Sequence, residues 1–217
     1  MNRAWAEQNK EMQSLLKKVT FPQGIDALLS LREELAAEVR RWRETLRDAD
    51  YSAQPFPGAK GYHSKTVAYS IWHIIRIEDI VVHSLILEEE EVLFSGGFLE
   101  KTGSPIITTG NELAGEEIAA FSRALNVDGL QAYAEAVRES TDRWLRTLRY
   151  EDLKRRFSQE DQERLRRLGA VSREESAEWL IGYWCGKDVA GLIKMPLSRH
   201  WIMHIEAADR IISRIKR

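Results

Sequence analysis

Four stretches of this chain place apolar residues three and four apart over about twenty residues each, the period of an α-helix with one buried face. In 128–148 the stripe is Leu130, Tyr133, Ala134, Val137, Trp144, Leu145 and Leu148, with Asp128 as a helix cap. In 25–47 it is Ile25, Leu28, Leu29, Leu35, Val39, Trp42 and Leu46. Segment 64–88 follows Ser64 as its cap and carries a wider apolar arc. The fourth long helix is 173–194 or 197–216. The first of these opens with Ser172 and Glu175 in capping-box spacing and stops before Pro196. Shorter helices are expected at 3–18, 112–124 and 158–168. Gly and Pro gather at 54–61 and 95–110, which read as loops, and residues 106–195 contain no proline. Only the short 105–109 stretch has any strand character. Long one-faced helices bury their stripes against one another, so the expected fold is an all-α, four-helix bundle with additional peripheral helices. The expected division is a 1–24 N-terminal helical extension and a 25–217 bundle domain. The extension has its own stripe, Trp5, Met12, Leu15, Leu16 and Val19. That stripe needs cover from the bundle or from a second copy, and we expect a homodimer.

Composition narrows the function. The chain has 217 residues, enough for one core without disulfide support. Its 32 basic and 34 acidic residues leave a net charge of -2, which argues against a nucleic-acid partner. No apolar run reaches the length of a membrane span, and MNRAWAEQNKEMQ has no apolar signal core. The single cysteine, Cys185, cannot form an internal disulfide and fits a reducing, cytoplasmic setting. One cysteine also excludes cysteine-rich zinc folds, so any metal must be held by His, Asp or Glu.

There are five histidines. On a helical wheel for 64–88, His73 falls inside the apolar arc near one edge. Arg76, Asp79 and His83 fall on the opposite, polar side, and His83 is expected to face solvent. His63 precedes this helix in a loop. On the last helix, His200 and His204 are i,i+4 and both lie in the middle of the buried face, flanked by Leu197, Trp201, Ala208 and Ile211. A buried imidazole must still satisfy a donor and an acceptor. Three in one core need three sets of partners, whereas one shared metal ion satisfies all three. The competing explanation gives each histidine its own backbone carbonyl or carboxylate. A His₃ set leaves a position open, the pattern of catalytic rather than structural zinc sites. The metal candidates are therefore His73, His200 and His204, and three imidazoles suit Zn²⁺, Ni²⁺ or Fe²⁺.

The run Ser70-Ile71-Trp72-His73-Ile74-Ile75, followed far downstream by His200-Trp201-Ile202-Met203-His204, resembles the DinB/YfiT-like superfamily. The resemblance spans roughly residues 25–216. It implies a DinB/YfiT-like four-helix bundle in which one histidine on the second bundle helix and a His-x-x-x-His pair on a later helix hold a metal. By position these are His73, His200 and His204. It also implies a metal-dependent enzyme, since relatives include transferases and isomerases that use a low-molecular-weight thiol. Many members continue the second motif with a His-Arg-Gly-Gln-like run, where this chain has Ile205-Glu206-Ala207-Ala208. The N-terminal helix and the long 89–125 stretch are further departures.

Other residues have plainer readings. Glu78 suits a salt bridge within the bundle better than a ligand-orienting role. Asp188 suits the surface, and Cys185 buried packing. Gly182 and Gly186 would allow a close helix approach. Trp72, Trp184 and Trp201 have core spacing but could line a pocket. Glu88–Glu91 reads as a solvated acidic helix end, and the mixed-charge 154–167 stretch as a solvated helix. No catalytic residue is assigned. The expected function is a divalent metal on three histidines activating a thiol or water, for transfer to or hydrolysis of a small-molecule substrate. The alternatives are a metal- or ligand-binding bundle without turnover and a purely structural bundle.

Overall fold

The computed structural model describes residues 3–216. Its long elements are α1 (Arg3–Leu15), α2 (Phe21–Thr45), α3 (Val67–Asp79, continuing as a π-helix over Ile80–Leu87), α4 (Glu116–Ala124), α5 (Val127–Thr147), α6 (Gln159–Leu168), α7 (Glu175–Cys185), α8 (Val189–Lys194) and α9 (His200–Ile215). There is no strand among the described residues, and 105–109 is irregular; one isolated bridge joins Arg156 and Asp188. The fold is all-α, as the periodicity requires. The bundle core is α2, α3, α5 and α9: α3 packs on α5 and α9, and α2 packs on the same two helices. No helix among the described residues is long and apolar enough to cross a membrane.

Of the two candidates for the fourth core helix, 197–216 fills the place, as α9. The 173–194 segment is broken. α7 ends at Cys185, and the Asp188 side chain then accepts a 2.8 Å hydrogen bond from the Gly191 amide, starting α8 as a fresh N-cap. Lys194 is followed by a π turn over Met195–Arg199 that leads directly into α9. The Gly182–Gly186 pair allows no helix approach: a Cβ at Gly182 would meet open space, and one at Gly186 would meet the carbonyls of its own helix. Close approach occurs instead at Gly129, in the first turn of α5, where an added Cβ would lie 2.0 Å from the Lys101 carbonyl oxygen.

α1 runs along α2 with Trp5 and Met12 buried, while Val19, past the helix end, is 90% exposed. Trp5 and Met12 are thus covered within the chain, and Leu15 and Leu16 are partly buried, which leaves Val19 as the one exposed member of the stripe.

α3 departs most from its helical-wheel reading. Every residue from 66 to 86 is buried, so the helix has no solvent face. Its cap is Thr66 rather than Ser64, with the Thr66 hydroxyl accepting from the Tyr69 amide. Arg76, Asp79 and His83, placed by the wheel on the polar side, are 0%, 0% and 3% exposed. Two physical reasons account for this. A helix apolar around its whole circumference is a buried helix, and IVVHSLIL is such a run. The widening to π geometry at Ile80 also slows the angular advance, so a 100° wheel misplaces the residues beyond Ile80. The acidic end is only partly solvated. Glu88–Glu90 are exposed, but Glu91 is buried, accepting from Arg76 at 2.8 Å and from Ser84 at 2.7 Å. Arginines of the 154–167 stretch cap this end: Arg155 donates to the Ile86 carbonyl at 2.6 Å and to Glu88 at 2.8 Å.

Candidate metal centre

The centre begins with one face of α3. Tyr69, Trp72, His73 and Arg76 follow helical spacing, and their side chains donate to four consecutive carbonyls of an irregular strap. Tyr69 reaches Gly110 at 3.0 Å, Trp72 reaches Thr108 at 2.9 Å, His73 reaches Thr109 at 2.8 Å, and Arg76 reaches Ile107 at 2.7 Å. A carbonyl only accepts, so His73 Nδ1 carries the proton and its Nε2 presents a lone pair. The Tyr69 ring stacks on His73 at 5.5 Å and 10°.

α9 supplies the other two imidazoles. The π turn ends as the helix begins, which puts His200 on its first residue and His204 one turn on. Trp201, between them, donates to Glu78 at 2.8 Å, and Arg32 grips the same carboxylate at 2.7 and 2.9 Å. Glu78 is therefore a buried ion-pair residue that ties α9 to α3 and α2.

The three rings converge. Centroids are 5.1 Å apart for His73–His200, 4.7 Å for His73–His204 and 4.6 Å for His200–His204. One nitrogen from each lies within 4.8 Å of the others, so the three could hold a metal ion. Their exposures are 5%, 7% and 1%. His200 Nδ1 and both nitrogens of His204 are buried without a hydrogen-bond partner. Burial pulls the His73 pKa down to about 4 and holds His200 and His204 well below the usual histidine range, with repulsion among the rings adding to it. All three are neutral at pH 7, the form that ligates metal. Lys65 adds positive charge near His73 and His204, and its own pKa is lowered by burial.

The centre opens on a cavity of about 310 Å³ that His73 and His200 help to line. Trp184 and Met195 also line it, with Tyr62, Trp179 and Tyr183 partly exposed. The Tyr62 ring lies 4.2 Å from that of His204. Trp184 thus lines the cavity, whereas the indole N–H groups of Trp72 and Trp201 are spent on Thr108 and Glu78. Trp179 and Tyr183, i,i+4 on α7, are not apparent as site residues from the sequence, although the W-x-x-x-Y-W spacing is there to be read. Cys185 is buried in apolar packing, which pushes its thiol up to about 11. His63, expected in a loop, lies in a 3-10 turn over Gly61–Ser64, beside Arg210 at 3.0 Å.

A family model described as the DinB superfamily matches residues 33–182, more than half of the chain. The match contains His73 and ends before His200 and His204. No curated protein sequence matches the chain significantly. With the helical fold and the extent of the match together, the chain belongs to the DinB superfamily.

Proposed function

We propose that the protein is a metal-dependent enzyme in which His73, through Nε2, together with His200 and His204 holds a divalent transition metal. The observation that carries this reading is the set of buried imidazole nitrogens without a protein partner. A buried polar atom left unsatisfied costs about 1–3 kcal/mol, and two rings of one cluster bear that cost. The donor set fits the group: three neutral imidazoles suit zinc, nickel or iron and disfavour calcium or magnesium. A divalent ion there supplies the charge that lowers the pKa of a thiol or a water, for transfer to or hydrolysis of a small molecule.

The chain's own residues prepare the site. The Thr109 carbonyl fixes the His73 tautomer and ring plane, as partners of ligating histidines commonly do. The Trp201–Glu78–Arg32 contacts hold the first turn of α9 in register, so that His200 and His204 face His73. Tyr62 covers His204 and keeps bulk water off its ring. Lys65, near His73 and His204, favours an anionic nucleophile.

A second reading, a metal- or ligand-binding protein without turnover, is favoured by one observation. Among the described residues, no carboxylate lines the cavity to serve as a general base. The two readings separate in one experiment. Protein purified without an affinity-metal step is assayed with chlorodinitrobenzene and a low-molecular-weight thiol, and with nitrophenyl acetate and water. The enzyme reading expects turnover in one assay, lost on chelation and restored by one metal equivalent. Equimolar metal with no turnover in either supports the second reading. Turnover indifferent to chelation overturns the first.

A further inference from the structure

The cavity beside the three imidazoles has a chemical character of its own. Its mouth carries Trp179, 54% exposed, and Tyr183, 36% exposed, on one face of α7. Trp184 and Met195 lie further in, and Asn111 is the amide among the lining groups. Among the described residues no Asp, Glu, Lys or Arg lines it. Lys187, whose Nζ is 4.2 Å from the Tyr183 ring centre, is not among the lining residues. A volume of about 310 Å³ is at the small end of ligand pockets, which run from about 300 to 1,000 Å³.

We propose that this cavity binds an uncharged small molecule with a flat, apolar body, taken up between the aromatic side chains of α7 and the Met195 side. Three arguments converge. Away from the three imidazoles, a charged group desolvated in the cavity would find no charged side chain among the lining residues, a penalty that selects against it there. Flat aromatic faces give large contact area to planar ligands and little to branched or strongly hydrated ones. Two large aromatic residues one turn apart and open to solvent at the mouth of a cavity leave apolar surface that a bound ligand would cover. The Asn111 side-chain oxygen, Oδ1, already accepts from the Thr109 hydroxyl at 2.9 Å, which leaves the side-chain N–H groups as neutral donors to orient a polar substituent. This deepens the proposed function by naming the substrate class of the same site. It rests on that reading only for the ligand's being a substrate.

The test compares naphthalene carboxamide, naphthalene sulfonate and a naphthyl trimethylammonium salt by isothermal titration, alongside metal content for each protein. The carboxamide is expected to bind at least tenfold more tightly than either ion. Trp179→Ala, at a half-exposed position that leaves the core intact, is expected to weaken the carboxamide about tenfold with metal content unchanged. His204→Ala is expected to lose metal and retain carboxamide binding within a few-fold. Wild-type protein that binds the carboxamide but carries no metal would sustain this inference while ending the metal reading. Equal or tighter binding of either ion, or no carboxamide binding, overturns the proposal. So does a Trp179→Ala protein that binds the carboxamide unchanged but shifts from dimer to monomer in sedimentation, since Trp179 would then serve a second copy.

Discussion

α3 carries two groups of buried polar side chains within three turns of each other, and the chain treats them in opposite ways. Around Asp79 every demand is met internally. Its carboxylate accepts from the Val92 and Leu93 amides at 2.9 and 3.0 Å, from the Tyr133 hydroxyl at 2.6 Å, from Arg76 at 3.2 Å and from His83 Nδ1 at 2.8 Å. His83 Nε2 in turn lies 2.9 Å from the Ser140 hydroxyl. Two turns earlier, His73 has one carbonyl partner, and the imidazoles it meets leave three nitrogens without any. The same bundle therefore has the means to satisfy a buried histidine and does so at His83. The triad's unpartnered nitrogens are the groups that the proposed metal would satisfy.

Breaking the satisfied cluster should have the largest effect. Asp79→Ala strands two amides and the His83 proton in a dry interior and leaves Arg76 with Glu91 as its one carboxylate, so we expect a loss of about 3–5 kcal/mol in chemical denaturation. A loss below about 1 kcal/mol would show that the cluster is not the lock it resembles.

The triad should respond differently with and without metal. In metal-free protein, His204→Leu removes two orphaned nitrogens at similar volume, and we expect no loss of stability or a gain of about 1 kcal/mol. With zinc at about a thousandfold excess over its dissociation constant, wild type should gain about 4 kcal/mol and His204→Leu should gain little. A metal-free His204→Leu protein that is destabilised by several kcal/mol would place the triad in the same class as Asp79.

The pH dependence of the metal-free protein sharpens the contrast through its sign. The triad pKa values lie below the usual 6.5, with His73 at about 4. Between those values the unfolded chain binds protons that the native triad refuses, so stability falls as pH drops from about 6.5 towards 4. His83 runs the other way. Burial opposes its charge, but the hydrogen bond and charge of Asp79 raise its pKa, so its contribution is complete below 6.5 and is lost as pH rises through the native value. Urea midpoints across pH 4–8 for wild type, His83→Gln and a triple Leu variant of the triad should separate the two slopes.

These regions are unequally legible in the sequence. The bundle helices show in their apolar stripes, and His200 and His204 show because α9 is amphipathic and regular. His73 shows because it precedes the π segment and sits among Ile and Trp. His83, Arg76 and Asp79 do not, because a wheel assumes an outside, and α3 has none. The strap at 107–110 is invisible for another reason: its carbonyls are positioned by side chains of a helix more than thirty residues away, and no local period records that.

The smallest effect concerns Asp209, near the last turns of α9. Burial pushes its carboxyl up to about 6, with Glu38 beside it adding repulsion. The native state then holds a proton between about 3.8 and 6 that the unfolded chain releases, so this pair weakens the fold as pH rises through that window. Solvent screens a half-buried group, so Asp209→Asn should stabilise the protein at pH 7.5 by less than about 1 kcal/mol and leave metal content unchanged. A destabilised variant would mean that the Trp42 contact to Asp209, at 3.1 Å, outweighs the repulsion.

The most direct measurement is elemental analysis of wild type and His204→Ala, each purified without an affinity-metal step. We predict about one zinc, nickel or iron per wild-type chain and almost none in the variant, with helical circular dichroism unchanged. Wild type without a transition metal even after incubation with all three, or His204→Ala with a full equivalent bound, would contradict a three-histidine metal centre.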